Sequence, residues 1–275
     1  MKTRILTAIV LLCIVIPIVI YSYTVVFPIA IAFIALVGVY EMLGCMKMRD
    51  KYFLSIPLYL FAAAMPFLLR YVSNEMIQIL PKLVVVLLLF VLYLLTVVVF
   101  SHGKLNIGEV FASAMLSLYV IGAWSCILYI RDLKHGMYLW IFIFIAAWIT
   151  DVFAYFTGML IGKHKLIPDV SPKKTVEGSI GGILFCILAF VLYGLILNYH
   201  FEPNISIAAC AACGLIASVV SQIGDLSMSV IKRNYGVKDF GKIFPGHGGI
   251  LDRFDSIMIL SPFLLFVVEN LNLFV

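Results

Sequence analysis

Long apolar segments alternate with short polar segments along the chain. Each apolar segment is about twenty residues long, which is the length that an α-helix needs to cross a bilayer. Because lipid cannot satisfy backbone hydrogen bonds, each segment is predicted to be a helix. The predicted fold class is all-α, a polytopic membrane helical bundle with about nine transmembrane helices, at roughly 5–22, 24–43, 53–71, 81–100, 108–130, 138–161, 179–199, 205–230 and 256–274.

Composition agrees with a membrane protein. Hydrophobic residues make up 64% of the 275 residues and charged residues 12%, and the mean hydropathy is +1.15. The six cysteines lie in or at the ends of apolar segments, so we expect buried thiols and no disulfide framework. The net charge of +5 suits anionic membrane lipids and gives no reason to expect a nucleic-acid partner.

The distribution of basic residues predicts the orientation of the bundle. With the N-terminus in the cytoplasm, nine spans place most of the 19 Lys and Arg residues on the cytoplasmic side. The exceptions are Arg70, Lys82, Arg131 and Lys134. This bias follows the positive-inside rule. We therefore expect a protein integral to the membrane, the cytoplasmic membrane if the source is bacterial, with its active site facing the cytoplasm.

Polar chemistry is concentrated in the second half of the chain. We interpret residues 1–137, with about five spans, as a membrane scaffold whose apolar segments carry no interior charge. Residues 138–275, with about four spans, are predicted to form the catalytic region. Its two cytoplasmic loops are predicted at 162–178 and 231–255.

Two aspartates lie inside predicted spans of the catalytic region. Asp151 occupies a face of small and polar residues in the sixth span, roughly 16 Å from its cytoplasmic end. Asp225 lies roughly 10 Å inside the corresponding end of the eighth span. An ionised side chain near the bilayer centre costs at least about 2.5–3.5 kcal/mol, so these carboxylates must face protein or water. The pattern predicts a polar cavity that opens to the cytoplasm.

Cationic and glycine-rich segments adjoin these two spans. Lys173, Lys174 and Thr175 precede three glycines at the start of the seventh span, where helix N–H groups favour an anion. The stretch 229–255 contains a Pro-Gly-His-Gly-Gly sequence, whose glycines permit the positive φ angles that direct successive N–H groups toward phosphate. Its histidine, His247, is a candidate general base, but it fits a hydrogen-bond donor to phosphate or a structural contact in the loop at least as well.

Carboxylates near the last span indicate a metal site. Asp252 and Asp255 are three residues apart at the start of the predicted helix, so they project together and are expected to share a divalent cation with Asp225. All-oxygen ligation suits Mg²⁺ and argues against zinc. Cations, phosphate-binding glycines and a metal site are the parts of phosphoryl or nucleotidyl transfer, here with a lipid as one substrate.

In its second half the chain resembles the phosphatidate cytidylyltransferase (CDP-diacylglycerol synthase) family. The C-terminal signature of that family is reproduced at Ser229, Lys232, Arg233, Lys238, Asp239, Gly241, Phe244, Pro245, His247, Gly248, Gly249, Asp252, Arg253 and Asp255. A second region is similar at Asp151, Tyr155, Gly158, Gly162, Lys163, at 171–175, and at Glu177 and Gly178. The resemblance covers about 150–256, and the first half agrees only in having apolar spans.

The resemblance implies a reaction and its partners. Members of the family transfer CMP from CTP to phosphatidate, which gives CDP-diacylglycerol and pyrophosphate in phospholipid biosynthesis. The resemblance further implies Mg²⁺, a second cation such as K⁺, nine helices and a homodimer. We therefore expect CTP and the membrane lipid phosphatidate as substrates.

The chemistry of the residues and the resemblance together assign candidate roles. The expected catalytic residues are Asp225, Lys232, Arg233, His247, Asp252, Arg253 and Asp255. The expected substrate- or phosphate-binding residues are Asp151, Lys173, Lys174, Thr175, Ser229, Lys238, Gly248 and Gly249. The expected metal ligands are Asp225, Asp252 and Asp255.

Two other functions are compatible with parts of this pattern. A CTP-dependent polyprenol or phytol kinase would share the membrane placement and the nucleotide, but it would transfer phosphate to an alcohol. An ion-coupled transporter would use Asp151 and Asp225 as coupling residues within the membrane. The crowding of charged features into one half of the chain argues against the internal repeat that a transporter favours.

Overall fold

Apolar helices dominate the structure, a computed structural model that describes residues 13, 15–71, 76–201, 205–244 and 248–270, with the backbone alone for 76–84 and 201. Within this part, six helices are long and apolar enough to cross a membrane: Val26–Cys45, Tyr52–Tyr71, Ile107–Asp132, Gly136–Ile161, Val176–His200 and Ile207–Asn234. The prediction of an all-α membrane protein is confirmed. The predicted count of about nine spans is not confirmed.

The other three predicted spans have different outcomes. Half of the segment predicted at 5–22 falls outside the described residues. The segment predicted at 81–100 lies in a helix whose side chains are described only from Val85. The segment predicted at 256–274 lies in the helix Leu251–Asn270, which carries four charged residues and is not among the six.

The elements follow one another in a simple order. The helices are α1 (Val26–Cys45), α2 (Tyr52–Tyr71), α3 (Met76–Phe100), α4 (Ile107–Asp132), α5 (Gly136–Leu139), α6 (Ile141–Ile161), α7 (Val176–Phe201), α8 (Ile207–Asn234) and α9 (Leu251–Asn270). Between α6 and α7 lies an antiparallel hairpin of β1 (Lys165–Ile167) and β2 (Ser171–Thr175). The hairpin gives regular structure to most of the loop predicted at 162–178.

Contacts divide the chain into two compact units. Unit 1 contains Met1–Leu128 together with Asp239–Arg253, and unit 2 contains Tyr129–Lys238 together with Phe254–Val275. The boundary within α9 falls at Phe254, where the backbone departs from helical geometry with φ −126° and ψ 17°. The functional division that the sequence predicts at residue 137 is a separate matter and stays a prediction.

Unit 1 has a core of small and aliphatic residues on α1 and α2. Its most deeply buried members include Ala35, Val39, Met42, Leu43, Leu54, Leu58 and Ala62. Gly38 of α1 lies against Val120 and Leu251, so the segment 239–253 packs onto this core. A polar part of the C-terminal signature thus belongs to the same compact unit as the N-terminal scaffold.

Unit 2 is built around α6, α7 and α8. The Phe142 ring packs against Phe190 and Tyr193, with centroid distances of 4.8 Å in both cases. The Thr150 hydroxyl donates to the Ser218 hydroxyl at 2.9 Å and links α6 to α8. Small and hydroxyl residues at such contacts are typical of helices that associate in lipid, where close packing and hydrogen bonds replace the hydrophobic effect.

Two glycines of α7 allow the close approach of α6. A Cβ atom at Gly181 would lie 2.6 Å from the Cβ of Thr157, and one at Gly182 would lie 2.9 Å from the Thr150 carbonyl oxygen. Both distances are shorter than side chains tolerate. The sequence suggested that the glycines at the head of the seventh span bind an anion, but these two serve helix packing.

We expect Gly181→Ala to destabilise the protein by about 1–3 kcal/mol, because the added methyl group must displace Thr157 or separate the helices. The measurement is the midpoint of thermal unfolding in detergent. Gly122→Ala is the matched control, since a Cβ atom there meets nothing within 4 Å. An equal loss of stability in both variants would contradict the packing role of Gly181.

Candidate functional site

A cavity of about 260 Å³ lies within unit 2. Its walls come from α6, the β-hairpin and the first residues of α7, with one contribution from α8. The polar and small residues around it are Asp151, Tyr155, Gly158, Lys173, Lys174, Thr175, Gly178, Ser179 and Gln222. The structure therefore brings the carboxylate of the sixth predicted span to the same cavity as the cationic loop.

The hairpin that carries the lysines is fixed at both ends. The Thr175 hydroxyl accepts a hydrogen bond from the Gly178 amide at 3.1 Å and so caps the start of α7. The Glu177 carboxylate accepts a hydrogen bond from the His164 amide at 3.2 Å, and it lies 2.6 Å from Nδ1 of the same residue. Lys173 and Lys174 therefore project from an anchored strand.

Glycines surround the Thr175 hydroxyl. A Cβ atom at Gly158, Gly162 or Gly178 would lie 2.7, 2.8 or 2.9 Å, respectively, from Thr175 Oγ1. These three positions have to be small for the threonine to reach its capping position. The stripe of small residues on the sixth predicted span is thus explained by contact with the loop that follows it.

An ion pair joins the hairpin to α8. The Lys174 ammonium pairs with the Asp225 carboxylate, and each side chain keeps 25% of its surface exposed. Asp151 lies within electrostatic range of both groups. The two aspartates predicted to lie within the membrane are therefore neighbours that share one lysine.

A third carboxylate, from α9, completes this cluster in unit 2. Asp255 lies within hydrogen-bonding reach of Asp225, and its Oδ1 accepts the Ser256 amide at 2.9 Å. Burial and the adjacent Asp225 carboxylate raise the pKa of Asp255, which precedes the ninth predicted span. Lys232 lies in electrostatic range and opposes this effect. Asp225 and Asp255 thus lie within hydrogen-bonding reach of each other, with the Lys174 and Lys232 ammonium groups nearby.

The Asp225 and Asp255 pair offers carboxylate oxygens to a cation that substrate phosphates also bind. Among the residues that the structure describes, no three His, Cys, Asp or Glu side chains are placed to hold an ion together. Mg²⁺ is usually bound through one or two carboxylates and substrate phosphates, which keeps most of its ligands outside the protein. The Asp225 and Asp255 pair suits that mode.

Asp252 belongs to unit 1, where its carboxylate binds backbone amides. Its Oδ2 accepts hydrogen bonds from the Phe240 amide at 2.8 Å and from the Gly249 amide at 2.9 Å. Gly248 has φ +83°, in agreement with the positive φ expected for this loop. The Gly249 amide, expected to bind phosphate, is here bonded to Asp252, because a carboxylate of the protein occupies the position of the anion.

Glu41 is a polar residue of unit 1 that the sequence interpretation missed. It lies in α1 with 1% of its surface exposed, so the prediction of a scaffold without interior charge is wrong. Its two oxygens accept hydrogen bonds from the Ile250 amide at 3.0 Å and the Leu251 amide at 2.9 Å. The charge is tolerated because it caps the first turn of α9.

The remaining predicted residues lie on or just after α8 and at the start of α9. Ser229 and Lys232 are partly buried on α8, whereas Arg233 and Lys238 are exposed. Arg253 is exposed in unit 1. His247 lies outside the described residues, so its predicted role stays a prediction.

Membrane-length helices with two lysines and an aspartate lining a cavity place this protein in the class of integral membrane proteins. The chain belongs to the cytidylyltransferase family, whose model matches residues 2–271. The resemblance found in the sequence motifs is thereby confirmed, and it extends to the first half of the chain.

Relatives from three staphylococci support this assignment. A protein of Staphylococcus epidermidis named phosphatidate cytidylyltransferase is 35% identical over 265 residues, which cover 96% of this chain and 97% of the relative. A protein of the same name from Staphylococcus aureus is 34% identical with the same coverage. Another from Staphylococcus saprophyticus is 39% identical over 171 residues, which cover 62% of this chain and 64% of the relative.

We expect the Lys174 and Asp225 side chains to be energetically coupled. Lys174→Met removes the ammonium partner of Asp225, and Asp225→Asn removes the carboxylate partner of Lys174. The double variant should therefore lose less stability than the sum of the losses of the two single variants. A double-mutant cycle measured by thermal or denaturant unfolding should give a coupling of about 0.5–3 kcal/mol. Lys165→Met, at an exposed position of the same hairpin, is the control in a cycle with Asp225→Asn. Additivity in the Lys174 cycle would contradict the ion pair.

Proposed function

We propose that this enzyme transfers CMP from CTP to phosphatidate and forms CDP-diacylglycerol and pyrophosphate. The observation that carries the proposal is the cluster of Lys174, Asp225 and Asp255 beside the cavity of unit 2. Lysines and carboxylates beside apolar helices suit a reaction between a lipid and a polyphosphate. Catalysis of phosphoryl transfer consists mainly of positioning and charge neutralisation. The names of the relatives support the choice of substrates.

The proposed reaction is an in-line displacement at phosphorus. An oxygen of the phosphatidate phosphate attacks the α-phosphorus of CTP, and a new P–O bond forms. The bond from the α-phosphorus to the oxygen that bridges to the β-phosphate breaks, and pyrophosphate leaves with that oxygen. A phosphomonoester has a second pKa of about 6, so the nucleophile is already ionised near neutral pH and needs no general base.

The lysines of β2 are proposed to bind the phosphate groups. Lys173 and Lys174 line the cavity, and an ammonium group has three donors. Lys174 therefore retains donors for a phosphate oxygen while it stays paired with Asp225. Asp151, on the opposite wall, is proposed to orient Lys174 or the lipid head group. Thr175 contributes by fixing the strand end that presents both lysines.

A bound Mg²⁺ would be held by Asp225 and Asp255 and would neutralise charge on the triphosphate. These two carboxylates fit that function because they lie within hydrogen-bonding reach of each other. The proposal that Asp252 is a further ligand rests on its spacing from Asp255 in the sequence. A second cation such as K⁺ is proposed from the resemblance alone.

Other candidate residues keep proposed roles that follow from their charge and position. Basic residues near the two helix ends are proposed to neutralise charge that develops on the leaving group: Lys232, Arg233, Lys238 and Arg253. Ser229 and Gly248 are proposed to contact phosphate oxygens. The cytoplasmic orientation of the site and the homodimer are proposed from the distribution of basic residues and from the resemblance, respectively.

The position of the label in the product tests the proposed reaction. Purified protein is incubated with phosphatidate, Mg²⁺ and CTP that is labelled at either the α- or the γ-phosphate. We expect the α-label in the lipid and the γ-label in pyrophosphate, in equal amounts. Transfer of the γ-label to an added polyprenol would instead favour a kinase. If no label from CTP enters the lipid with phosphatidates of several acyl chains, the proposal is overturned.

The carboxylate pair should be essential for the reaction. We expect Asp225→Asn and Asp255→Asn each to lower kcat/KM by about 100-fold or more, because each removes a charge that holds the divalent ion. Asp169→Asn, at an exposed position of the hairpin, is the matched control and should retain activity. Full activity in the combined Asp225→Asn and Asp255→Asn variant would contradict the assignment.

A further inference from the structure

Glu41 holds the backbone of the C-terminal signature, and we infer that it is a positioning residue for the catalytic groups that follow it. The catalytic part of this inference rests on the proposed function. Glu41 lies 209 residues before Ile250 and outside both regions that carry the family resemblance. Glu41 belongs to unit 1, whereas the cavity and the carboxylates described with it belong to unit 2.

Three successive amides at the start of α9 are bound by two carboxylates of unit 1. Gly249 donates to Asp252 Oδ2 at 2.9 Å, Ile250 to Glu41 Oε1 at 3.0 Å, and Leu251 to Glu41 Oε2 at 2.9 Å. A helix N-terminus binds anions through such unpaired N–H groups. Here both anions belong to the protein, and the bidentate contact fixes the direction in which α9 begins.

Glu41 also explains why two signature positions are glycine. A Cβ atom at Gly241 would lie 2.6 Å from the carboxyl carbon of Glu41, and one at Gly249 would lie 2.5 Å from it. Any other residue at these positions would push the carboxylate away from the amides it binds. Gly241 has no positive φ angle, so its small size is the property that matters there.

A basic residue that follows α1 lies near Glu41. Arg49 lies in electrostatic range of Glu41 and folds back onto the end of α1. Its guanidinium carbon lies 3.5 Å from the centre of the Tyr40 ring, and its Nη2 donates to the Tyr40 carbonyl oxygen at 3.1 Å. A positive charge anchored in this way therefore lies near the buried carboxylate.

The first turn of α9 carries the residues proposed to act on the substrates. Asp252 and Arg253, which belong to unit 1 with Glu41, follow Leu251 within two positions. A displacement of about 1 Å in a positioned group costs up to about 100-fold in rate. Loss of the Glu41 contact should therefore reduce turnover more than it reduces nucleotide binding.

Hydrogen exchange tests the contact without reference to activity. In the full-length protein in detergent, Glu41→Gln should speed deuterium exchange of the 250–251 amides by about 10- to 100-fold, since an amide side chain accepts only one of the two hydrogen bonds. Glu109→Gln, at an exposed position of α4, is the matched control and should leave that exchange unchanged. Unchanged exchange in Glu41→Gln overturns the inference.

Kinetics with CTP and phosphatidate test the positioning role. Per folded molecule, we expect kcat to fall about 10- to 100-fold in Glu41→Gln while KM for CTP changes little, with Glu41→Asp intermediate because it keeps the charge on a shorter side chain. A purely structural role would lower the folded fraction and leave kcat per folded molecule unchanged, which overturns the inference. If Glu41→Gln does not fold, Glu41→Asp carries both measurements.

A coupled variant separates this inference from the proposed reaction. Gly249→Ala should speed exchange of the 250–251 amides strongly in the native background and add little in Glu41→Ala, because the methyl group acts by displacing the glutamate. Equal effects in both backgrounds overturn the contact. If the native protein transfers no CMP, the proposed function fails, and the exchange measurements still decide whether Glu41 holds the loop.

Discussion

The free-energy cost of charge among apolar helices is the constraint on which the site depends. Asp225 keeps only a quarter of its surface exposed, and Lys174, from a hairpin outside the helices, supplies its countercharge. The pairing works because the hairpin is anchored by the Thr175 cap and by Glu177. Anchored loops and buried carboxylates therefore depend on one another: the loop stabilises the charge, and the charge fixes where the loop ends.

Glycine acts in both units by allowing contact. In unit 2, glycines admit the Thr175 hydroxyl and bring α6 close to α7, and in unit 1 they admit the Glu41 carboxylate. Most of them sit in motifs that the sequence suggested were for phosphate binding. Steric room for the protein's own polar groups accounts for them equally well, since a carboxylate and a phosphate make the same demands on neighbouring amides.

Helix periodicity and local motifs predicted the features of unit 2 that depend on nearby sequence. Asp151 lies on α6 and Lys174 on β2, and only the short strand β1 lies between these two elements. Their proximity therefore follows from a short connection. Glu41 could not be placed in this way. Its partners are more than two hundred residues away, and no pattern within α1 specifies them, although a glutamate in a predicted span was itself a visible signal.

The distance between Glu41 and its partners has a consequence for synthesis of the chain. The glutamate leaves the ribosome 210 residues before Leu251, which at about 5–20 residues per second corresponds to roughly 10–40 s. During that interval α1 is in the membrane with a carboxylate whose amide partners do not yet exist. Glu41 lies four residues from the end of α1, which is about 6 Å of helical rise. Synthesis of unit 1 therefore begins first. Its fold cannot be completed until residues 239–253 have been made, near the end of synthesis.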